Sequence, residues 1–130
     1  MLGRGSTTAG ELDTAAVKLG ISRFRGTWPA DKCPKLSVSS SCILNTDTSG
    51  MAGTHWVALY TTPSRILAYD SFGRRVKGLA PSFKRLSLRR QLVDTEYDAE
   101  QRFIEENCGQ RCLAWILTAQ QKGAAAALAI

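Results

Sequence analysis

"HWVALYTTPSRILAYD", residues 55–70, decides the fold of this chain. Its first half, His55 to Thr62, alternates well enough for a strand, and Pro63-Ser64 makes a tight connection to "RILAYDSF", a second strand. Such a pair is expected to be antiparallel. If it closes symmetrically about Thr62-Pro63 without a bulge, residue 55 lies directly opposite residue 70. Directly opposed residues have Cβ atoms about 4.5–5.5 Å apart. A carboxylate at that range can hold an imidazole in the tautomer and orientation a general base needs. His55 is also the one histidine of the chain. Each residue alone has a plainer reading: a structural histidine opening a strand, and a turn aspartate before Ser-Phe-Gly.

Towards the N-terminus, Thr8 and Glu11 have the spacing of a capping box. Leu12, Ala15, Ala16 and Leu19 follow at helical intervals and Gly20 is a natural stop, which predicts a helix over about 9–19. Residues 21–40, "ISRFRGTWPADKCPKLSVSS", hold two prolines and mixed polarity and read mostly as loop. "SCILNT" (41–46) is a short strand and "GMAGT" (50–54) a turn. Towards the C-terminus, Leu79 to Leu92 looks helical, with Pro81 in the first turn, Phe83 and Leu86 inward and the arginines outward. "QLVDTEY" (91–97) is ambiguous between helix end and strand. Asn107 is placed to cap a final helix, with Cys108, Cys112, Trp115, Ile116 and Ala119 on one face.

"GAAAALAI" (123–130) is a low-complexity apolar tail, too short to span a membrane. The expected organisation is a leader over 1–7, one domain over 8–122 and the tail over 123–130. The fold class is α+β: a small mixed or antiparallel sheet packed by helices, with Cys108 at the N-terminus of the central helix.

The chain has 130 residues, 44% of them hydrophobic, which suits a single soluble domain with a real core. No apolar run approaches the roughly 20 residues of a spanning helix, so no membrane partner is expected. "MLGRGSTTAG" carries no secretory apolar region, and the four cysteines (Cys33, Cys42, Cys108, Cys112) are therefore expected as reduced thiols in an intracellular compartment. Their spacing, with one histidine, does not match a zinc site, so no metal is expected. The net charge of +6 is unevenly distributed. Arg74, Arg75, Lys77, Lys84, Arg85, Arg89 and Arg90 form a stripe without an acid, and an acidic stretch from Asp94 to Glu106 follows. The stripe reads either as a footprint for phosphate or an acidic partner, or as a solvated surface.

Cys108 and Cys112 differ by position. A helix N-terminus favours a thiolate through its dipole and free N–H groups, lowering the pKa from about 8.5. A nearby imidazolium would lower it further. Gly109 would let a substrate backbone approach. Cys112, one turn deeper, is the structural thiol. The plainer alternative for Cys108 is a buried apolar thiol.

With these residues in view, the sequence resembles the adenovirus-type cysteine proteases (adenain), distant relatives of the ubiquitin-like-protein proteases. The likeness runs from about Leu19 to Ala119. It rests on "LGISRFRGTWP", "SCILNTDTSGMAGTHWVALY", "LAYDSFGR" and "QRFIEENCGQRCLAW", in the family's order of His, acid, Gln and Cys. The resemblance implies Cys108 as nucleophile, His55 as general base and Asp70 as the residue orienting His55. It implies Gln101 as oxyanion donor with the Cys108 N–H, donors of a kind worth about 2.7–4 kcal/mol each, and Trp56 packed beside His55 at the substrate site.

The resemblance further implies a monomer that cleaves viral precursor polypeptides at glycine-containing sites, in the host nucleus and the virion. DNA is the implied activator, matched to the stripe at 74–90. The family's activating peptide is anchored to a cysteine between the acid and the nucleophile. This chain has none between Asp70 and Cys108. Residues 1–5, Met-Leu-Gly-Arg-Gly, are similar to the family's preferred sites and imply trimming after Arg4. Two other readings compete: a deconjugating protease for ubiquitin-like tags, which use Asp in the triad, and a catalytically silent basic nucleic-acid-binding domain.

Overall fold

The computed structural model describes residues 8–46, 55–70, 74–78, 83, 85, 90–95 and 108–129, with Lys77 and Cys108 described by their backbones. Helix α1 spans Ala9–Lys18 and opens on the expected capping box: the Glu11 N–H donates to Thr8 Oγ1 at 3.1 Å and the Thr8 N–H to Glu11 Oε1 at 3.0 Å. Gly20, at φ 73°, closes the helix in a conformation that costs other residues a steric penalty.

Five strands follow in the order they occupy in the sheet: β1 (Phe24–Trp28), β2 (Ser41–Asn45), β3 (Trp56–Thr61), β4 (Arg65–Tyr69) and β5 (Gln91–Asp94). The three central strands pair antiparallel, and the outer pairs β1/β2 and β4/β5 are parallel. The fold is thus α+β with a mixed sheet. Strand β1 corrects the loop expected over 21–40. Its main-chain partner lies across a crossover, so no local hairpin signal marked it. β5 makes the first four residues of "QLVDTEY" strand, so residues 91–92 are not the helix end expected there. Residues 79–82, 84, 86–89 and 96–97 lie outside the described residues. Within the expected helix, Phe83 is fully buried as expected, and just ahead of it Val76–Gly78 form a 3-10 turn.

Parallel neighbours need crossovers, and these explain the core. The β1–β2 crossover brings Ala30, Cys33 and Leu36, and the β4–β5 crossover brings Val76 and Phe83, onto one face of the sheet with Cys42, Leu44, Val57, Leu59, Ile66 and Ala68. Helices cover the other face. There Leu12 and Ala16 of α1 meet Ile43, Ala58, Leu67 and Tyr69 together with Cys112, Trp115, Ile116 and Ala119 of α2 (Cys108–Lys122). With both faces covered, β2 is buried along its whole length, the polar ends Ser41 and Asn45 included, rather than alternating between buried and exposed.

The alanine-rich tail is also part of this core. Gly123, at φ 91°, breaks the chain direction after α2. Helix α3 (Ala124–Leu128) then folds back, with Ala127 fully buried and its carbonyl accepting the Trp115 indole N–H at 3.0 Å. Trp115 in turn stacks on Tyr69 at a centroid distance of 5.4 Å. A tail separate from the domain is therefore corrected: residues 124–128 pack on the helix they follow.

Candidate active site

β3 and β4 position the first two residues. Their ladder pairs Ala58 with Tyr69 and Thr61 with Ile66, and Thr62 closes the turn by donating its N–H to the Arg65 carbonyl at 2.8 Å. The turn is therefore centred on Pro63-Ser64, two residues of register away from direct opposition of 55 and 70. A slip of two keeps the same face, because side chains alternate with period two. His55 and Asp70 become diagonal neighbours, a separation that long and aromatic side chains still bridge. The pair survives the correction: His55 Nε2 donates to Asp70 Oδ1. The His55 carbonyl accepts the Thr46 N–H at 2.9 Å, which continues the β2–β3 ladder to the histidine.

Asp70 is buried, its side chain 0% exposed. Burial alone would push its carboxyl up. Hydrogen bonds from His55 and from Arg74, with the charge of the imidazole, outweigh that and hold it at about 2 against an ordinary 3.8. Arg74 supplies three donors: its backbone N–H (3.0 Å) and Nε (2.8 Å) to Oδ2, and Nη2 (3.3 Å) to Oδ1. Next along the chain, the Val76 N–H donates to Asp94 Oδ1 at 2.8 Å. Asp94 sits on β5 opposite Ala68. Its own carboxyl is raised, by burial first, while the Val76 N–H and Arg75 oppose the rise and the charge of Asp70 adds to it. Two aspartates at the ends of adjacent strands thus staple residues 74–76 across the sheet.

The third element arrives through Trp56. Cys112 Sγ donates to the Trp56 carbonyl at 3.4 Å, and a Cβ built on Gly109 would lie 3.3 Å from the Trp56 indole and 2.8 Å from Leu12 Cδ2. α2 therefore rests, by its first turn, on the residue adjacent to His55, and Cys108 is the first residue of that turn. Cys112 is fully buried in the helix-side core, the place expected of a structural thiol. Gly109 is buried as well, and its missing side chain is what allows Leu12 and Trp56 to approach the helix. Trp56, half-buried, packs in the same helix-side cluster.

Gln101 and Asn107, the leader, the 50–54 turn and the side chain of Cys108 lie outside the described residues. So do Lys84, Arg89 and the side chain of Lys77 from the basic stripe. Of the rest of that stripe, Arg74 is turned onto Asp70 and Arg90 Nη1 donates to the Leu36 carbonyl at 3.2 Å, while Arg75 and Arg85 are exposed. Two of the four described arginines of the stripe, Arg74 and Arg90, are thus bonded to the chain itself, and Arg74 stays exposed while doing so. In the sequence Arg74 stands within the basic run and Asp94 at the start of the acidic one. The four-residue spacing from Asp70 to Arg74 was a usable signal, whereas nothing local marks Asp94. Among the described residues no group of three His, Cys, Asp or Glu could hold a metal ion, and no helix is long and apolar enough to cross a membrane.

No protein-family model and no curated protein matches the chain. Among solved structures it is similar to the ASFV pS273R protease, with a TM-score of 0.52 and 17% identity over 92% of this chain. The match covers 60% of that protein, so this chain spans under two thirds of its length. The likeness establishes a shared fold.

Proposed function

We propose that the chain is a cysteine endopeptidase with Cys108 as nucleophile, His55 as base, Asp70 as its orienting acid and Gln101 as oxyanion donor. One observation carries this reading: the chain's sole histidine is hydrogen-bonded to a buried, ionised aspartate beside the first turn of the helix that begins with Cys108. Asp70 engages Nε2, so Nδ1 is the ring nitrogen that takes the thiol proton. The thiolate attacks a peptide carbonyl, and the oxyanion is held by the Cys108 N–H and the Gln101 amide. The imidazolium then protonates the departing amine, leaving an acyl-enzyme that water hydrolyses.

The fold shared with the ASFV pS273R protease supports this class of reaction. On the sequence resemblance, the substrates are viral precursor polypeptides cut at glycine-containing sites during virion maturation, in the host nucleus and the virion. DNA contacts fall to Arg75 and Arg85 with Lys77, Lys84 and Arg89. Asp rather than Glu at position 70 favours a second reading, a deconjugating protease for ubiquitin-like tags.

A glycine-rich peptide library, offered with and without DNA, tests the proposal. Cys108→Ala and His55→Ala are each expected to lower turnover by about 10⁴-fold or more, whereas Cys112→Ala retains it. A dead Cys112→Ala beside an active Cys108→Ala would reverse the nucleophile assignment. Iodoacetamide should label Cys108 ahead of Cys33, Cys42 and Cys112 near neutral pH. Loss of four residues from the N-terminal mass on incubation checks cleavage after Arg4.

A further inference from the structure

We infer that Arg74 is a positioning residue of this site, setting the orientation and charge of His55 through Asp70. The catalytic meaning of this role rests on the protease reading above. The geometry itself does not.

Asp70 has two oxygens and, among the described residues, four donors on them. Among the described residues Arg74 alone occupies Oδ2, with its backbone N–H and Nε, and its Nη2 reaches round to share Oδ1 with His55. A carboxylate gripped at three points by one residue has its plane fixed, and only one direction is left for the imidazole. Such a side-on fork is available to arginine and not to lysine, whose ammonium is a point charge.

Charge follows the same geometry. A buried aspartate whose only cation is a histidine either locks that histidine as imidazolium or takes its proton when the ring discharges. Arg74 supplies a permanent positive charge, so Asp70 stays ionised whichever state His55 is in. The imidazole is then able to accept and release a proton, as a base must. Among the described residues, two further sets of charged or titratable groups lie near this site. Asp94 of β5 acts on Asp70 and is matched by Arg75 and the Val76 N–H. The first turns of α2 carry Cys108, Arg111 and Cys112, and Cys112 is bonded to the Trp56 carbonyl.

Because the chain contains one histidine, its imidazole titration is read without ambiguity from nitrogen-correlated NMR of the full chain, with no substrate present. Arg74→Gln is expected to move the midpoint upward by about one pH unit, as removal of a nearby cation should. Arg74→Lys, which keeps the charge, should return most of that shift. With the peptide library, Arg74→Gln should lower kcat more than it raises KM. A purely structural arginine would lower Tm in Arg74→Gln and leave the His55 midpoint unmoved, and that result overturns the inference. If Arg74→Gln does not fold, Arg74→Lys decides: it breaks the fork, so an unchanged His55 Nε2–H resonance overturns it equally. Failure of the protease reading is scored separately, by an active Cys108→Ala.

Discussion

At the residue scale, the chemistry turns on a buried aspartate held by an imidazole and a guanidinium, and its pH behaviour follows from that. Its pKa is about 2 in the folded chain and 3.8 ordinarily, so its contribution to stability is complete above 3.8 and is lost as pH falls towards 2. Asp70→Asn should therefore lower the urea midpoint at neutral pH, and its difference from the parent should shrink on acidification to about pH 2. A constant difference across that range would mean that packing, not charge, is what Asp70 contributes. In catalysis the same substitution leaves the ring without its orienting anion and should reduce kcat by about 10⁴-fold, checked on the peptide library. His55 and Asp70 were legible in the sequence because a tight turn fixes the parity of the residues it joins. A slip of two in register left their shared face intact. For Arg74 only the four-residue spacing from Asp70 hinted at a partner, since a charged residue in a basic run has the same composition whether it faces solvent or a carboxylate.

At the scale of elements, the first turn of α2 is seated by a close approach rather than by a polar contact. Gly109 lies where a Cβ would come within 2.8 Å of Leu12 Cδ2, and Leu12 is fully buried and has little room to yield. Gly109→Ala should cost about 1–3 kcal/mol in overpacking, offset by up to about 1 kcal/mol of helix propensity. Net destabilisation in urea is the expected outcome, and a stabilised variant would refute the seating. Thr8→Ala removes the cap of α1 and should cost about 1 kcal/mol, also read by urea denaturation. The capping box was visible because it is written in residues three apart. β1 was not: Phe24–Trp28 pairs in parallel with a strand thirteen residues downstream of its end, and a mixed-polarity segment with prolines on both sides of Cys33 carries no local sign of that partner.

At the scale of the whole molecule, two covered faces and a returning tail define the domain. Truncation after Lys122 would strip α3, leaving the Trp115 indole N–H without its acceptor and opening the helix-side core where Ala127 sits. A buried donor left unsatisfied costs about 1–3 kcal/mol. The truncated chain should therefore melt lower and show a red-shifted Trp115 emission. An unchanged Tm would mean that α3 adds nothing to the core. The alanine run looked like filler because alanine has no side chain to announce a contact. Its role comes from the space Trp115 leaves on α2. By itself, the sequence determined the hairpin, the parity that sets His55 and Asp70 on one face, the α1 cap and the helix that begins at Cys108, all interactions between residues close along the chain. Only the tertiary structure decided the parallel outer strands, the staple from Asp94, the turn of Arg74 onto Asp70 and the seat of Gly109. All but the Arg74 contact join groups from distant parts of the chain, and that contact too is fixed by the burial of Asp70; burial is a property of the packed molecule rather than of any segment.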